Sequence, residues 1–128
     1  MKNEYPQDLK YVDSHEYVRV EGDIATIGIT SFAVNQLGDI VFIEMPEINT
    51  DVTQGDNLGS IESVKAVESI YAPISGTIVD RNDSAIDSPE ILGESPYTDG
   101  WIIKIRISNP EELETLMTVE KYISFVEG

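Results

Sequence analysis

Hydrophobic and polar positions alternate with a period of two over much of the first hundred residues, the pattern of half-buried strands. "YVRV" (17–20) and "IATIGI" (24–29) are rich in β-branched residues and predict two strands, with Gly22 and Asp23 forming a short turn between them. The period changes at "TSFAVNQLGD" (30–39), where Phe32, Ala33, Gln36 and Leu37 share one face of a short helix. Thr30 or Ser31 can cap it and Gly38 can end it. "IVFIEMP" (40–46) predicts an apolar strand stopped by Pro46. "QGDNLGSIES" (54–63) rises towards Lys65, and "AVESIYAPISGTIVD" (66–80) descends from it, with bends at Pro73 and Gly76. "DSPEIL" (87–92) reads as one helical turn, with Ser88 as cap and Pro89 at the first position. "WIIKIRI" (101–107) puts Ile103, Ile105 and Ile107 on one face and Lys104 and Arg106 on the other.

The tail has a different pattern. In "NPEELETLMTVEKYISFVEG", Asn109 reads as a cap and Pro110 as the first helical residue, followed by acids that suit a helix N-terminus. Leu113, Leu116 and Met117 form one apolar stripe, and Tyr122, Ile123 and Val126 another. One or two helices over about 109–126 are expected to pack on the sheets. The fold class is mainly β, with short strands, short helices and a helical C-terminus, and the 128 residues suggest a single domain over 1–128.

Charge narrows the partners. Twenty-four acids against eight lysines and arginines give a formal net charge of −16. Such a surface repels nucleic acid and anionic lipid, and suits steering towards basic patches on proteins. No apolar run is long enough for a membrane, and the polar opening "MKNEYPQDLKY" reads as neither signal nor transit segment. A cytoplasmic location is therefore expected. The sequon Asn82-Asp83-Ser84 is then expected to be a plain turn. With no cysteine and one histidine, thiolate and multi-histidine metal sites within one chain are excluded.

Few residues are left to carry chemistry. "DRNDSAIDSPE" (80–90) fails as a calcium loop, because counting from Asp80 puts Ala85 at the glycine position and Ile91 at the final glutamate position. No phosphate-cradling loop, dinucleotide fingerprint or nucleophile elbow is present. His15 by default is a satisfied surface histidine, and Trp101 and Tyr97 read as core and rim aromatics. Lys65 stands apart. The neighbouring basic residues are Arg19 and Arg81, and ten carboxylates lie between those two. An ordinary lysine here would pair weakly with Glu62 or Glu68. Strand patterns approach Lys65 from both sides, however, which places it at a hairpin tip. Val64 and Ala66 resist the positive φ of a primed turn, whereas a type I turn through Val64-Lys65 tolerates them. A lysine at a rigid tip is a suitable post for a covalently attached arm.

"ESVKA" (62–66) resembles the lipoylation motif of the glycine cleavage system H-protein family. "SHEY" (14–17), "ATIGIT" (25–30), "LGDIVFIEMPE" (37–47), "APISGTIVDRN" (72–82) and "SPYTDGWIIKI" (95–105) resemble further segments of that family in the same order. Tyr17 stands where the family usually has tryptophan, Gly93 where asparagine is common, and Ser69 where an acid is often found. The resemblance implies a barrel-sandwich hybrid of two sheets, like lipoyl and biotinyl domains. It implies lipoate in amide linkage to Lys65, placed there by a lipoate ligase or lipoyl transferase. It implies a carrier without catalysis of its own. The P protein, a pyridoxal-phosphate glycine decarboxylase, would load it with an aminomethyl group. The T protein, an aminomethyltransferase, would unload it, and the L protein, dihydrolipoyl dehydrogenase, would reoxidise it.

The resemblance also places "SHEY" beside a cleft for the arm, with Ser14 and Glu16 holding the cationic cargo and Glu68 substituting for the acid missing at Ser69. The competing readings use the same lysine or none. They are a lipoate relay protein, a biotin carrier, a lipoyl domain of a 2-oxoacid dehydrogenase and an unmodified binding module. Biotin carriers usually set their lysine between methionines, and 2-oxoacid dehydrogenase lipoyl domains typically have aspartate before it. Val64 and Ala66 flank it here.

Overall fold

The computed structural model describes residues 5–127. Strands β1 (Lys10–Tyr11), β2 (Glu16–Glu21) and β3 (Ile24–Ile29) lead into helix α1 (Ser31–Leu37). Next come β4 (Ile40–Glu44), β5 (Asp51–Val52), β6 (Asn57–Ser63), β7 (Val67–Tyr71) and β8 (Gly76–Arg81). Two short helices follow, α2 (Asp83–Asp87) and α3 (Ile91–Glu94), then β9 (Ile103–Ile107). A 3-10 helix (Pro110–Thr115) and α4 (Val119–Glu127) end the described chain. A six-stranded sheet has the order β1-β2-β3-β9-β8-β5, and a three-stranded sheet the order β4-β6-β7. Their inward faces enclose a core that includes Ile27, Ile43, Ile61, Ile74, Ile78 and Ile105. A second cluster, Leu9, Tyr11, Tyr17, Val119 and Tyr122, lies under α4.

Local chemistry accounts for several elements. Thr30 caps α1 by accepting a hydrogen bond from the Ala33 N–H, and Gly38 ends the helix at φ 79°. In β6, Leu58 and Ile61 both point into the core although they are three positions apart, an odd spacing that a regular strand forbids. A register shift between Asn57 and Gly59 supplies the extra residue. It depends on Gly59 at φ 150°, where a Cβ would stand 2.0 Å from the Glu44 carbonyl oxygen.

Three expectations need correction. Ser88 does not cap a helix over 87–92; its N–H donates to the Ser84 carbonyl and closes α2. The segment 83–87 is helical because the Asn82 side chain caps it, while the Asn82 Nδ2 donates to the carbonyls of Asp99 and Trp101. The sequon is therefore a buried helix cap rather than a plain turn. Asn109 makes no side-chain cap, and the chain after it winds as a 3-10 helix. There the Glu112 carboxylate is drawn to the N–H and Oγ of Ser75, at 2.6 and 2.8 Å. The two-residue strands β1 and β5 had no counterpart among the expected elements.

Candidate functional site

Lys65 lies at the turn between β6 and β7, exposed. Ser63 builds this turn. Its N–H donates to the Ala66 carbonyl at 2.8 Å, and its Oγ accepts from the N–H groups of Lys65 and Ala66 at 3.2 and 3.0 Å. Because a side-chain oxygen satisfies these donors, neither Val64 nor Lys65 needs positive φ, and neither has it. The Val64 N–H donates to the Asp39 carbonyl at 3.1 Å, tying the tip to the segment after α1. Val64 and Val67 are 71% and 62% exposed on either side. Among the described residues no carboxylate lies within ion-pair distance of Lys65, so the ordinary pairing with Glu62 or Glu68 is not made.

A cleft of about 440 Å³ begins at Ala66, next to this lysine. One wall is β7, from Glu68 to Tyr71. The other is α1, through Phe32, Ala33, Gln36 and Leu37, and Ser14 and His15 contribute from the turn before β2. The four α1 residues are those that the sequence places on one helical face. The structure adds that this face borders an open cleft, while Val34 is buried in the core. Ile29 and Tyr71 also line it. Neither could be found from the sequence, because their place depends on how the two sheets face each other.

The site residues read from the sequence are arranged around this cleft in two ways. Ser14 and Glu68 line it. Glu68 pairs across the ladder with Ile61, whose side chain is fully buried. Cross-strand partners share a face, so Glu68 is turned towards the cleft side of the edge strand β7. Glu16 does not line the cleft. It is fully buried behind Ser14, accepting from the Ser14 hydroxyl and, at 3.1 Å, from the Tyr71 N–H. Burial pushes its carboxyl up to about 7, against the opposing effect of those hydrogen bonds. Glu16 thereby joins β2 of one sheet to the end of β7 in the other.

His15 is more constrained than a surface default. Its backbone is left-handed at φ 76°, its ring lies 4.7 Å from that of Phe32, and its Nδ1 is 2.8 Å from the Tyr122 hydroxyl. Burial lowers its pKa below the usual range, while Asp13 and Glu68 oppose that shift. Tyr17 is buried. Its hydroxyl donates to the Pro96 carbonyl at 2.5 Å, and its ring covers Gly28, where a Cβ would come within 2.5 Å of it. Trp101 is half-buried with the Lys104 ammonium 5.0 Å from its ring, and Tyr97 receives the Ser31 N–H.

The sequence profile of the family described as glycine cleavage H-protein matches residues 9–128. The chain belongs to the glycine cleavage H-protein family. The glycine cleavage system H protein of Gloeothece citriformis is 57% identical, with 100% of this chain and 98% of that protein covered. That of Acaryochloris marina is 57% identical over the full length of both. The crystal structure of a glycine cleavage system H protein from Mycobacterium marinum superposes with a TM-score of 0.90 at 34% identity, covering 97% of this chain and all of that one. The fold is thus the two-sheet, lipoyl-domain-like barrel sandwich, and the family is lipoate-bearing. Membership of the H-protein family sets aside the biotin carrier and the 2-oxoacid dehydrogenase domain. Among the described residues no helix is long and apolar enough to cross a membrane, and no cluster of metal-ligating side chains occurs.

Proposed function

We propose that Lys65 carries lipoate in amide linkage and that the chain moves the aminomethyl group of glycine between the enzymes of glycine cleavage. The observation that carries this reading is the geometry at the hairpin tip. An exposed ε-amine, with no carboxylate in ion-pair range among the described residues, stands at the mouth of a cleft whose lining includes Ile29, Phe32, Ala33, Leu37 and Ile70. That lining suits an aliphatic chain and a dithiolane. Lys65 would hold the lipoate, which when bound would supply a dithiolane whose sulfur can carry an aminomethyl group between the P and T proteins and be reoxidised by the L protein.

The protein's own part is to hold and shield, and it performs no catalysis. Ser63 fixes the tip, so flexibility is confined to the lysine side chain and what it bears. The exposed valines beside it offer an apolar patch to a lipoate ligase or lipoyl transferase. A cationic cargo inside the cleft meets the Ser14 hydroxyl and the Glu68 carboxylate, with the Glu16 carboxylate behind Ser14. Excluding water there limits hydrolysis of the adduct. These roles fit a cytoplasmic multienzyme system.

Lys65→Arg tests the attachment. It keeps the charge on an exposed side chain, so stability should stay within about 0.5 kcal/mol. Intact-mass measurement after incubation with a ligase and lipoate should show no added mass, and glycine decarboxylation should stop. A lipoyl group on another lysine, or retained decarboxylation, overturns the reading.

A further inference from the structure

The hydroxyl of Tyr122, on a helix that does not line the cleft, lies between two of the elements that do, α1 and the turn before β2. It is 2.7 Å from Thr30 Oγ1 and 2.8 Å from His15 Nδ1. Thr30 is fully buried and caps α1, the helix that forms one wall. His15 lies on the wall itself and occupies a left-handed backbone, a conformation that persists only when its surroundings over-determine it. We propose that Tyr122 is a positioning residue that sets the width of the cleft, acting from α4 through Thr30 and His15.

Three observations support this. First, α1 has seven residues and no charged group at either end to favour its dipole, so its helical state depends on tertiary contacts. Its N-cap oxygen is the atom that Tyr122 reaches. Second, the hydrogen bonds can be fully satisfied in one direction. Thr30 Oγ1 accepts from the Ala33 N–H and donates its proton to Tyr122, which donates its own to an unprotonated His15 Nδ1. Third, the Tyr122 ring is held independently of its hydroxyl. It stacks on Tyr11 at 4.7 Å with planes 12° apart, and meets Tyr5 edge-on at 5.3 Å. Removing the hydroxyl therefore leaves the ring seated and frees the two cleft elements.

The functional part of this inference rests on the carrier reading, and the test separates the two. Tyr122→Phe is compared with Thr30→Ser, which keeps the hydroxyl, and with Val52→Ala, a core truncation in β5 at the far edge of the six-stranded sheet. In the unmodified proteins, the Val34 and Gly38 amides of α1 should exchange hydrogen about tenfold faster in Tyr122→Phe, as expected for losing the net effect of one or two hydrogen bonds. They should exchange as in wild type in Thr30→Ser, and no faster than global unfolding requires in Val52→Ala. Once the decarboxylase is removed from the loaded, lipoylated proteins, the aminomethyl adduct of Tyr122→Phe should decay faster by a similar factor. Its rate of lipoylation should be unchanged. Equal amide exchange in wild type and Tyr122→Phe overturns the link between Tyr122 and α1. Faster exchange with unchanged adduct decay overturns its role in the cleft. A wild-type protein that forms no adduct overturns the carrier reading instead.

Discussion

Glu16 and His15 are neighbours in sequence, and burial shifts both, in opposite senses. The Glu16 carboxyl rises to about 7 from an ordinary value near 4.5. Between those values the folded chain holds a proton that the unfolded chain has lost, so stability falls as pH rises through this window and is flat above it. The His15 imidazole is lowered from 6.5, so the unfolded chain binds the extra proton and stability rises with pH up to about 6.5. The two slopes partly cancel in the wild type. Glu16→Gln removes one of them. Its amide can accept from the Tyr71 N–H and donate to the Ser14 hydroxyl, so both contacts are retained. The variant should match wild type near pH 4, below the unfolded value, and exceed it at pH 8, by up to about 3 kcal/mol for a shift of this size. Urea unfolding at the two pH values measures this, and equal midpoints at pH 8 would show that Glu16 is charged at no cost. If Glu16 also serves as counter-ion to the cargo, the same variant shortens the lifetime of the aminomethyl adduct. Unchanged decay would leave Glu16 as a clamp between the sheets.

At the scale of elements, what the sequence could reveal depended on how locally each element is determined. Strands β2 and β3, the caps of α1 and the hairpin around Lys65 were legible because each follows from its own residues. Alternation marks the strands, Thr30 and Gly38 mark the helix ends, and strand patterns approach Lys65 from both sides, although the part Ser63 plays in the turn emerges only from the structure. The strands β1 and β5 have two residues each, too short for any period to show, and exist only because β2 and β8 offer them an edge. Helix α2 escaped notice because its Asn82 cap sits within a sequon that reads as a turn. The cleft was half-legible. Its α1 face and Ser14 could be named, but Ile29 and Tyr71 join it only when the sheets stack. The β6 bulge is another feature that a single residue decides. Gly59→Ala would force a Cβ against the Glu44 carbonyl, which backbone cannot yield without breaking the β4–β6 pairing. A loss of about 3 kcal/mol or more is expected by calorimetry, since clash and positive φ act together. A loss below about 1 kcal/mol would mean that β6 can slide to a regular register and that Leu58 need not be buried.

For the whole molecule, charge is the dominant property. Arg19, Arg81 and Arg106 pair with Asp8, Glu47 and Asp23, but eight cations cannot match twenty-four acids, so at least sixteen carboxylates have no cation of their own. Their mutual repulsion is present in the folded chain at close quarters and weaker in the expanded one, so it opposes folding. The same field attracts a basic partner surface and speeds encounter with it. Salt screens both effects, with opposite consequences. At 0.01 M the Debye length is about 30 Å, larger than the molecule's radius, and at 0.15 M it is about 8 Å. Raising salt over this range should stabilise the free protein by about 1 kcal/mol, a rise of roughly 4 °C in Tm for a chain of this size. The second-order rate of loading by the decarboxylase should fall over the same range, by about tenfold where steering is strong. Melting curves and loading kinetics in one salt series distinguish this from general ion binding, which would move both quantities the same way. Loading that ignores salt while Tm rises would mean that the acidic surface governs solubility and folding, and that partners recognise the apolar tip around Lys65 without electrostatic guidance.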